Sequence, residues 1–290
     1  MQRIAGRIVV LVLGLSLAAE CQGQDKPPTP AEQYQALLKE YQVASSGGAL
    51  SDEERMKFVG RVYRLRSKLA LAFLELAEKN PEDPIAVDAL IQAVWQVNTT
   101  PWPAELVGAD DARSRSLVLL ERDHIRSDKL GPVCQRMSFG FCEEYETFLR
   151  AVVEMNPDKE VQALAHLALA HFLVNRSDRL DLVNEQPELA KEFEDLFGKE
   201  YLDRLRRQDS AKAAKEAEAL FEQAAQRYGD VKLADGGTVG EKARAELFEI
   251  RHLRVGREAP EIEGEDQDGR PFKLSDYRGK VVLLDFWHQF

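Results

Sequence analysis

Cys134 and Cys142 are the first residues in the chain whose type and spacing could do chemistry. In one continuous helix eight residues rise about 12 Å, which is beyond the reach of a disulfide. Gly131, Pro132 and Gly140 interrupt such a helix, so the chain can fold back, and a Cys134–Cys142 bridge is the expected arrangement rather than two thiols. A zinc site that adds His124 would have the spacing His–x9–Cys–x7–Cys. That matches no usual ligand pattern and lacks a fourth ligand, so no metal is expected. His166 and His171 are five residues apart on one helical pattern, about 140° around it, and cannot chelate a single ion. They read as histidines at the edge of a core, held by local hydrogen bonds. Trp95 and Trp102, with Pro101 and Pro103 nearby, could form an aromatic shelf for a ligand or simply pack a loop. The run Glu192-Phe193-Glu194-Asp195 reads as a solvated face rather than a calcium loop. No glycine-rich phosphate loop, Ser/His/Asp grouping or basic patch stands out, so no catalytic residue and no bound cofactor are assigned to this part of the chain.

The elements that must position these residues are mostly helical. The 290 residues are 44% hydrophobic and 31% charged, a globular composition. A net charge of −11 argues against nucleic acid as a partner, because phosphate contacts need Lys and Arg. Three cysteines are too few for a disulfide scaffold. Residues 1–23 read as a secretory signal: Arg3 and Arg7, the apolar stretch Ile8 to Leu17, then Ala18 and Ala19, with cleavage expected after Ala18, Ala19 or Gly23. The product is therefore expected to be exported, periplasmic or otherwise extracytoplasmic, with no integral membrane segment after cleavage. Lipid anchoring through Cys21 is disfavoured, because Ala18 and Glu20 stand where a lipobox wants Leu and a small residue.

Residues 24–30 form a Pro-rich linker, and residues 31–253 carry helical signals. Ser51 and Glu54 make a capping box, as do Thr238 and Glu241. Leu65, Leu69, Phe73 and Leu76 form one apolar stripe that stops at Asn80-Pro81. A further helix starts at Pro84 and carries Ala86, Leu90, Ala93, Val94 and Val97. Turns recur at Asn80-Pro81, Asn156-Pro157 and Tyr228-Gly229, and the first two are 76 residues apart, about two helical hairpins. The stretch from Glu218 to Asp230 is similar to tetratricopeptide helices. The expected fold is mainly α, with antiparallel helical hairpins stacked as an irregular α-solenoid or bundle. Such a surface could bind a protein partner or serve only as a spacer.

From Val255 the pattern changes. Gly256-x-x-Ala259-Pro260, the turn Asp268-Gly269, Leu274-Ser275, Arg278-Gly279-Lys280 and the apolar run from Val281 through Phe286-Trp287 follow one another. Val281 to Leu284 reads as a buried strand. Together these residues resemble the thioredoxin-like redoxins, which include the alkyl hydroperoxide reductase/thiol-specific antioxidant group and the TlpA kind of exported thiol–disulfide oxidoreductase. Residues 256–290 then correspond to the N-terminal portion of a thioredoxin-like α/β domain. The helical part is similar to the N-terminal extension of a bacterial subset of exported redoxins.

The resemblance implies a site. In such proteins the strand ending in Phe-Trp leads to a small residue, a variable residue, a Trp and then Cys-x-x-Cys. The first Cys opens a helix, whose N-terminal amides and dipole stabilise the attacking thiolate. The second Cys resolves the mixed disulfide. Here Phe286 and Trp287 match, His288 replaces the small residue and Phe290 replaces the Trp, so all three aromatic positions lead into the redox site. The nucleophile, Cys or selenocysteine, is expected just beyond Phe290, and the chain as written lacks the redox pair. Cys21, Cys134 and Cys142 do not follow the Phe-Trp strand and cannot replace it. Three explanations stay open: a nonsense mutation or gene-model boundary, a recoded UGA codon, and a selected truncation. The implied partners are protein thiols or disulfides, or a peroxide. The alternative is a non-catalytic helical interaction module with a vestigial redoxin tail.

Overall fold

The computed structural model describes residues 27–45, 52–97, 109–139 and 142–286. The signal segment 1–23 with Cys21, the Ser51–Glu54 capping pair, Trp102, Gly140, Trp287 and Phe290 lie outside the described backbone or side chains. Eleven α-helices follow one another among the described residues. They are α1 Pro30–Ser45, α2 Asp52–Lys79, α3 Ile85–Val97, α4 Ala109–His124, α5 Gly131–Met137 and α6 Glu143–Met155. The rest are α7 Lys159–Glu185, α8 Pro187–Phe197, α9 Lys199–Arg206, α10 Ser210–Arg227 and α11 Val239–Phe248. A five-residue π-turn, Glu249–Leu253, leads into a small hairpin of β1 Glu263–Glu265 and β2 Pro271–Lys273. The fold is mainly α with an incomplete α/β segment, as the sequence implies.

Local chemistry sets most helix ends. Pro30 opens α1, one residue inside the expected linker, because Thr29 and Glu32 cap each other's amides and proline at the first helical position loses no hydrogen bond. The α2 stripe buries Leu69, Phe73 and Leu76, and α3 buries every apolar residue of its predicted stripe. Asp158 caps α7, its carboxylate accepting from the Glu160 and Val161 amides at 2.9 Å each. Thr238 and Glu241 form the expected reciprocal capping box on α11. At the α10–α11 turn the backbone crosses itself closely. A Cβ on Gly240 would lie 2.9 Å from both Cα and O of Gly229, so only glycine fits there.

Packing departs from a regular repeat. Helices α2, α3 and α4 pack in sequence, but α7 gathers α5, α6, α8 and α10 around itself. The reason is its composition: Val161, Leu164, Leu167, Leu169, Phe172 and Leu173 are all buried yet point in different directions around the helix. One large core runs from Tyr34 to Leu247. A second, small cluster joins Leu180 and Val183 at the end of α7 to Ala190, Leu202 and Leu205.

Buried polar groups pin the turns between these layers. Asn156, 3% exposed, donates from Nδ2 to the carbonyls of Ile125 and Ser127 at 2.7 and 2.8 Å. Its Oδ1 accepts from the Asp158 amide at 2.9 Å. The α4–α5 connection is thereby locked to the α6–α7 turn. Replacing Asn156 with Ala leaves these backbone groups short of partners. The Asn156→Ala protein is expected to lose about 1–3 kcal/mol of unfolding free energy in urea titration, with an unchanged denaturant slope.

Candidate functional site

The C-terminal segment is built on a tight turn. Asp266 Oδ1 accepts from the amides of Asp268 and Arg270 at 2.8 and 2.9 Å, and Gly269 supplies the required φ of +76°. This sets the register Glu263↔Lys273, Gly264↔Phe272 and Glu265↔Pro271. Leu274–Tyr277 then forms a 3-10 turn, tied back by the Ser275 amide donating to Glu261 Oε1 at 3.0 Å. These hydrogen bonds from Ser275 hold the Glu261 carboxyl below its ordinary pKa.

The expected buried strand is not formed. Val281, Leu283 and Phe286 are 102%, 92% and 85% exposed, and the only sheet among the described residues is the two-stranded one. A strand with this composition needs a ladder partner and covering layers, and the segment from 281 to 286 has neither in place. Of the residues leading toward the expected redox position, Phe286 is thus described as solvent-facing, and Trp287 and Phe290 lie outside the described residues.

The Cys134–Cys142 bridge is also not formed. The helix does break between the two residues, α5 ending at Met137 and α6 starting at Glu143. However, α5 turns Cys134 wholly into the core, while Cys142 takes the N-cap position of α6, near Arg179 and Tyr201. Burial pushes the Cys134 thiol up to about 12, which makes it inert.

His166 and His171 face apart, as their spacing requires. His166 is buried against the Tyr228 ring, its Nδ1 lies 2.7 Å from the Gln162 carbonyl, and burial lowers its pKa. His171 Nε2 lies 3.0 Å from Glu246 Oε1, and its ring meets Phe221 edge-on. Trp95 carries Arg136 over its face at 4.2 Å, and its carbonyl accepts from Arg66 at 3.0 Å. That stacking position is packing rather than an open shelf. Among the described residues no three His, Cys, Asp or Glu side chains converge as a metal site, and no helix is long and apolar enough to cross a membrane.

What sequence reading missed is the joint that carries the C-terminal segment. Arg251 pairs with Glu218 at 2.6 Å and with Glu222, both on α10. Arg254 Nη1 lies 3.1 Å from Asp178 Oδ1 on α7. The segment therefore leaves the helical body at a three-way ionic anchor. Beside it opens a groove of about 470 Å³ lined by Phe139, Asn175, Asp178, Arg179, Leu182 and Phe193. A smaller pocket of about 220 Å³ between α2, α3 and α4 is lined by residues including Leu90, Leu119 and His124.

Residues 255–290 match the model of the AhpC/TSA family. The C-terminal tail is thus redoxin-like in sequence. No curated protein and no solved structure matches the chain.

Two outcomes follow from these geometries. In the native protein iodoacetamide is expected to modify Cys142 and spare Cys134 until denaturant is added, read by peptide mapping without reductant; recovery of a Cys134–Cys142 bridged peptide would contradict this. The Glu246 carboxyl is held down to about 2, first by the hydrogen bond from His171 and further by Lys242. A depressed carboxylate contributes stability above its unfolded pKa, and that contribution fades as the pH falls from about 4.5 toward 2. Glu246→Gln is expected to cost about 1 kcal/mol at pH 7, after allowance for solvent screening. The gap between wild type and Glu246→Gln should close near pH 2 in urea titrations.

Proposed function

We propose that residues 256–290 open a thioredoxin-like domain of an exported thiol–disulfide oxidoreductase or peroxide-reducing redoxin, with its nucleophilic Cys or selenocysteine just after Phe290. The observation that carries this reading is the segment from Val281 to Phe286. Exposure alternates along it, 102%, 42%, 92% and 47% for Val281 to Leu284, so it presents two faces like a strand, and both faces are apolar. Such a strand belongs in the middle of a sheet covered on both sides, as in doubly covered α/β folds. The AhpC/TSA match over the same residues supports that sheet's identity. On this reading a thiolate following Phe290 attacks a client disulfide sulfur and releases one client thiolate. The resolving Cys then attacks the mixed disulfide and frees the second. With a peroxide, the thiolate attacks oxygen and becomes a sulfenic acid as water or alcohol leaves. Residues 1–23 act as the export signal, placing the mature N-terminus at Ala19, Glu20 or Gln24.

A second reading rests on a different observation. Both buried clusters are built from residues 34–247, and none of their members comes from the segment after 255. A helical body so complete fits a non-catalytic interaction module carrying a vestigial tail.

The two are separated by a chain extended through the coding sequence that follows Phe290. It is expected to reduce insulin disulfides with dithiothreitol, or to consume peroxide, and to lose that turnover when the first Cys or selenocysteine after Phe290 becomes Ser. An extended chain with no turnover of either kind contradicts the redoxin reading.

A further inference from the structure

Two different forces hold the joint between α11 and the C-terminal segment. Ile250, in the π-turn Glu249–Leu253, packs against the main core and fixes that turn to the helical body. Beyond it apolar burial stops: Leu253 and Val255, on either side of Arg254, are exposed. Direction is set by charge instead. Arg251 Nε lies 2.6 Å from Glu218 Oε1, and its Nη2 meets Glu222, one turn further along α10. Arg254 Nη1 lies 3.1 Å from Asp178 Oδ1 on α7. The wide i→i+5 turn splays the two arginines, so that each reaches a different helix.

All five of these side chains are between 30% and 53% exposed, so water and dissolved ions reach every pair. Pairs of this kind are individually weak and are screened by salt. Past the joint the tail makes its own bonds. The Arg257 amide donates to the Arg254 carbonyl at 3.0 Å, and from Glu258 to Lys280 the hydrogen bonds and ion pairs of the described residues stay within the segment. Gly256, at φ +84° with nothing within 4 Å of a Cβ placed there, has room to rotate. The tail is therefore a self-closed unit, held in direction by three ion pairs and joined to the body through one open pivot.

We propose that this joint is an ionic latch. At low ionic strength Arg251 and Arg254 hold the tail in one direction relative to α7 and α10. As ionic strength rises the pairs open and the tail swings about Gly256, while Ile250 keeps the π-turn seated on the core. The weakness of each pair makes the latch responsive, since a small energy gap lets a modest change in conditions shift the populations. Its use, setting when a redox domain built on this segment is presented in a fixed direction, rests on the redoxin reading above; the latch itself does not.

The test uses the full 290-residue chain carrying Cys21→Ser and Cys142→Ser, with nitroxide labels on Lys191→Cys in α8 and Gln267→Cys in the hairpin turn, both exposed positions. The distance between the labels is read by double electron–electron resonance. A narrow distribution is expected at about 20 mM salt, and one at least twice as wide at about 1 M, with the helical circular dichroism signal unchanged. Arg251→Gln together with Arg254→Gln should give the wide distribution at both salt concentrations. Arg251→Glu should widen it at low salt, and adding Glu218→Lys and Glu222→Lys should narrow it again, a rescue that a merely structural role for Arg251 would not show. A width in the parent chain that does not change with salt, a narrow distribution without the two arginines, or failure of the charge-reversed chain to narrow would each overturn the latch. Salt-dependent widening without turnover in the extended chain would sink the redoxin reading alone. Turnover without salt-dependent widening would sink the latch alone.

Discussion

Water has to be kept off α7 nearly all the way round. From Val161 to Leu173 its apolar side chains point in every direction, and eleven of these thirteen residues are buried, Gln162 and His171 being the partial exceptions. A helix of this kind is stable only inside other helices, because its burial supplies the hydrophobic driving force that isolated helices lack. The rest of the body follows from that demand. Helices α5 and α6 cover one side and α10 another, and α11 is drawn in by the contact between His171 and Glu246. Two polar side chains fix turns between these helices: Asn156 across two connections, and Gln162, whose Nε2 reaches the carbonyls of Val153 and Asn156 at 2.9 and 2.7 Å. The ionic layer at the surface of this packing links the same helices, Glu146 joining Arg150 to Arg176 and Arg150 reaching on to Glu216 at 2.5 Å.

The C-terminal segment obeys the opposite rule. Its hairpin and turn are closed by local hydrogen bonds that need nothing from elsewhere, and its apolar run from Val281 to Phe286 lacks the neighbours that would bury it. The body therefore contributes a fixed point of departure rather than a covering layer. Arg251 and Arg254 supply that point, two turns of chain reaching back to α10 and α7. Exposed ion pairs are individually weak, but three partners for two neighbouring arginines restrict direction more than they add stability.

Much of this was legible in the residues. The stripes of α2 and α3, the cap at Thr238 and the turn at Asp268-Gly269 are local devices, and local chemistry decided them. Non-local geometry decided what the sequence did not show. The distance between Cys134 and Cys142 depended on which face of α5 met α7, and periodicity over seven residues cannot tell that face. Asp178 and Arg254 are 76 residues apart, and neither belongs to a motif, so their meeting was invisible. Val281 to Leu284 has the composition of a buried strand, but burial belongs to the neighbours and not to the segment. The tail's resemblance to redoxins, carried by the residues from Gly256 to Trp287, agrees with the AhpC/TSA match.

On the redoxin reading proposed above, residues 281–286 are a sheet strand whose partners are not among the described residues. Amide hydrogen exchange compared between the 290-residue chain and its extended form tests this directly. The account predicts slow exchange through residues 161–173 in both chains. Residues 281–286 should exchange almost freely in the shorter chain and become strongly protected in the longer one. Protection of 281–286 already present in the 290-residue chain, or none gained on extension, would contradict it.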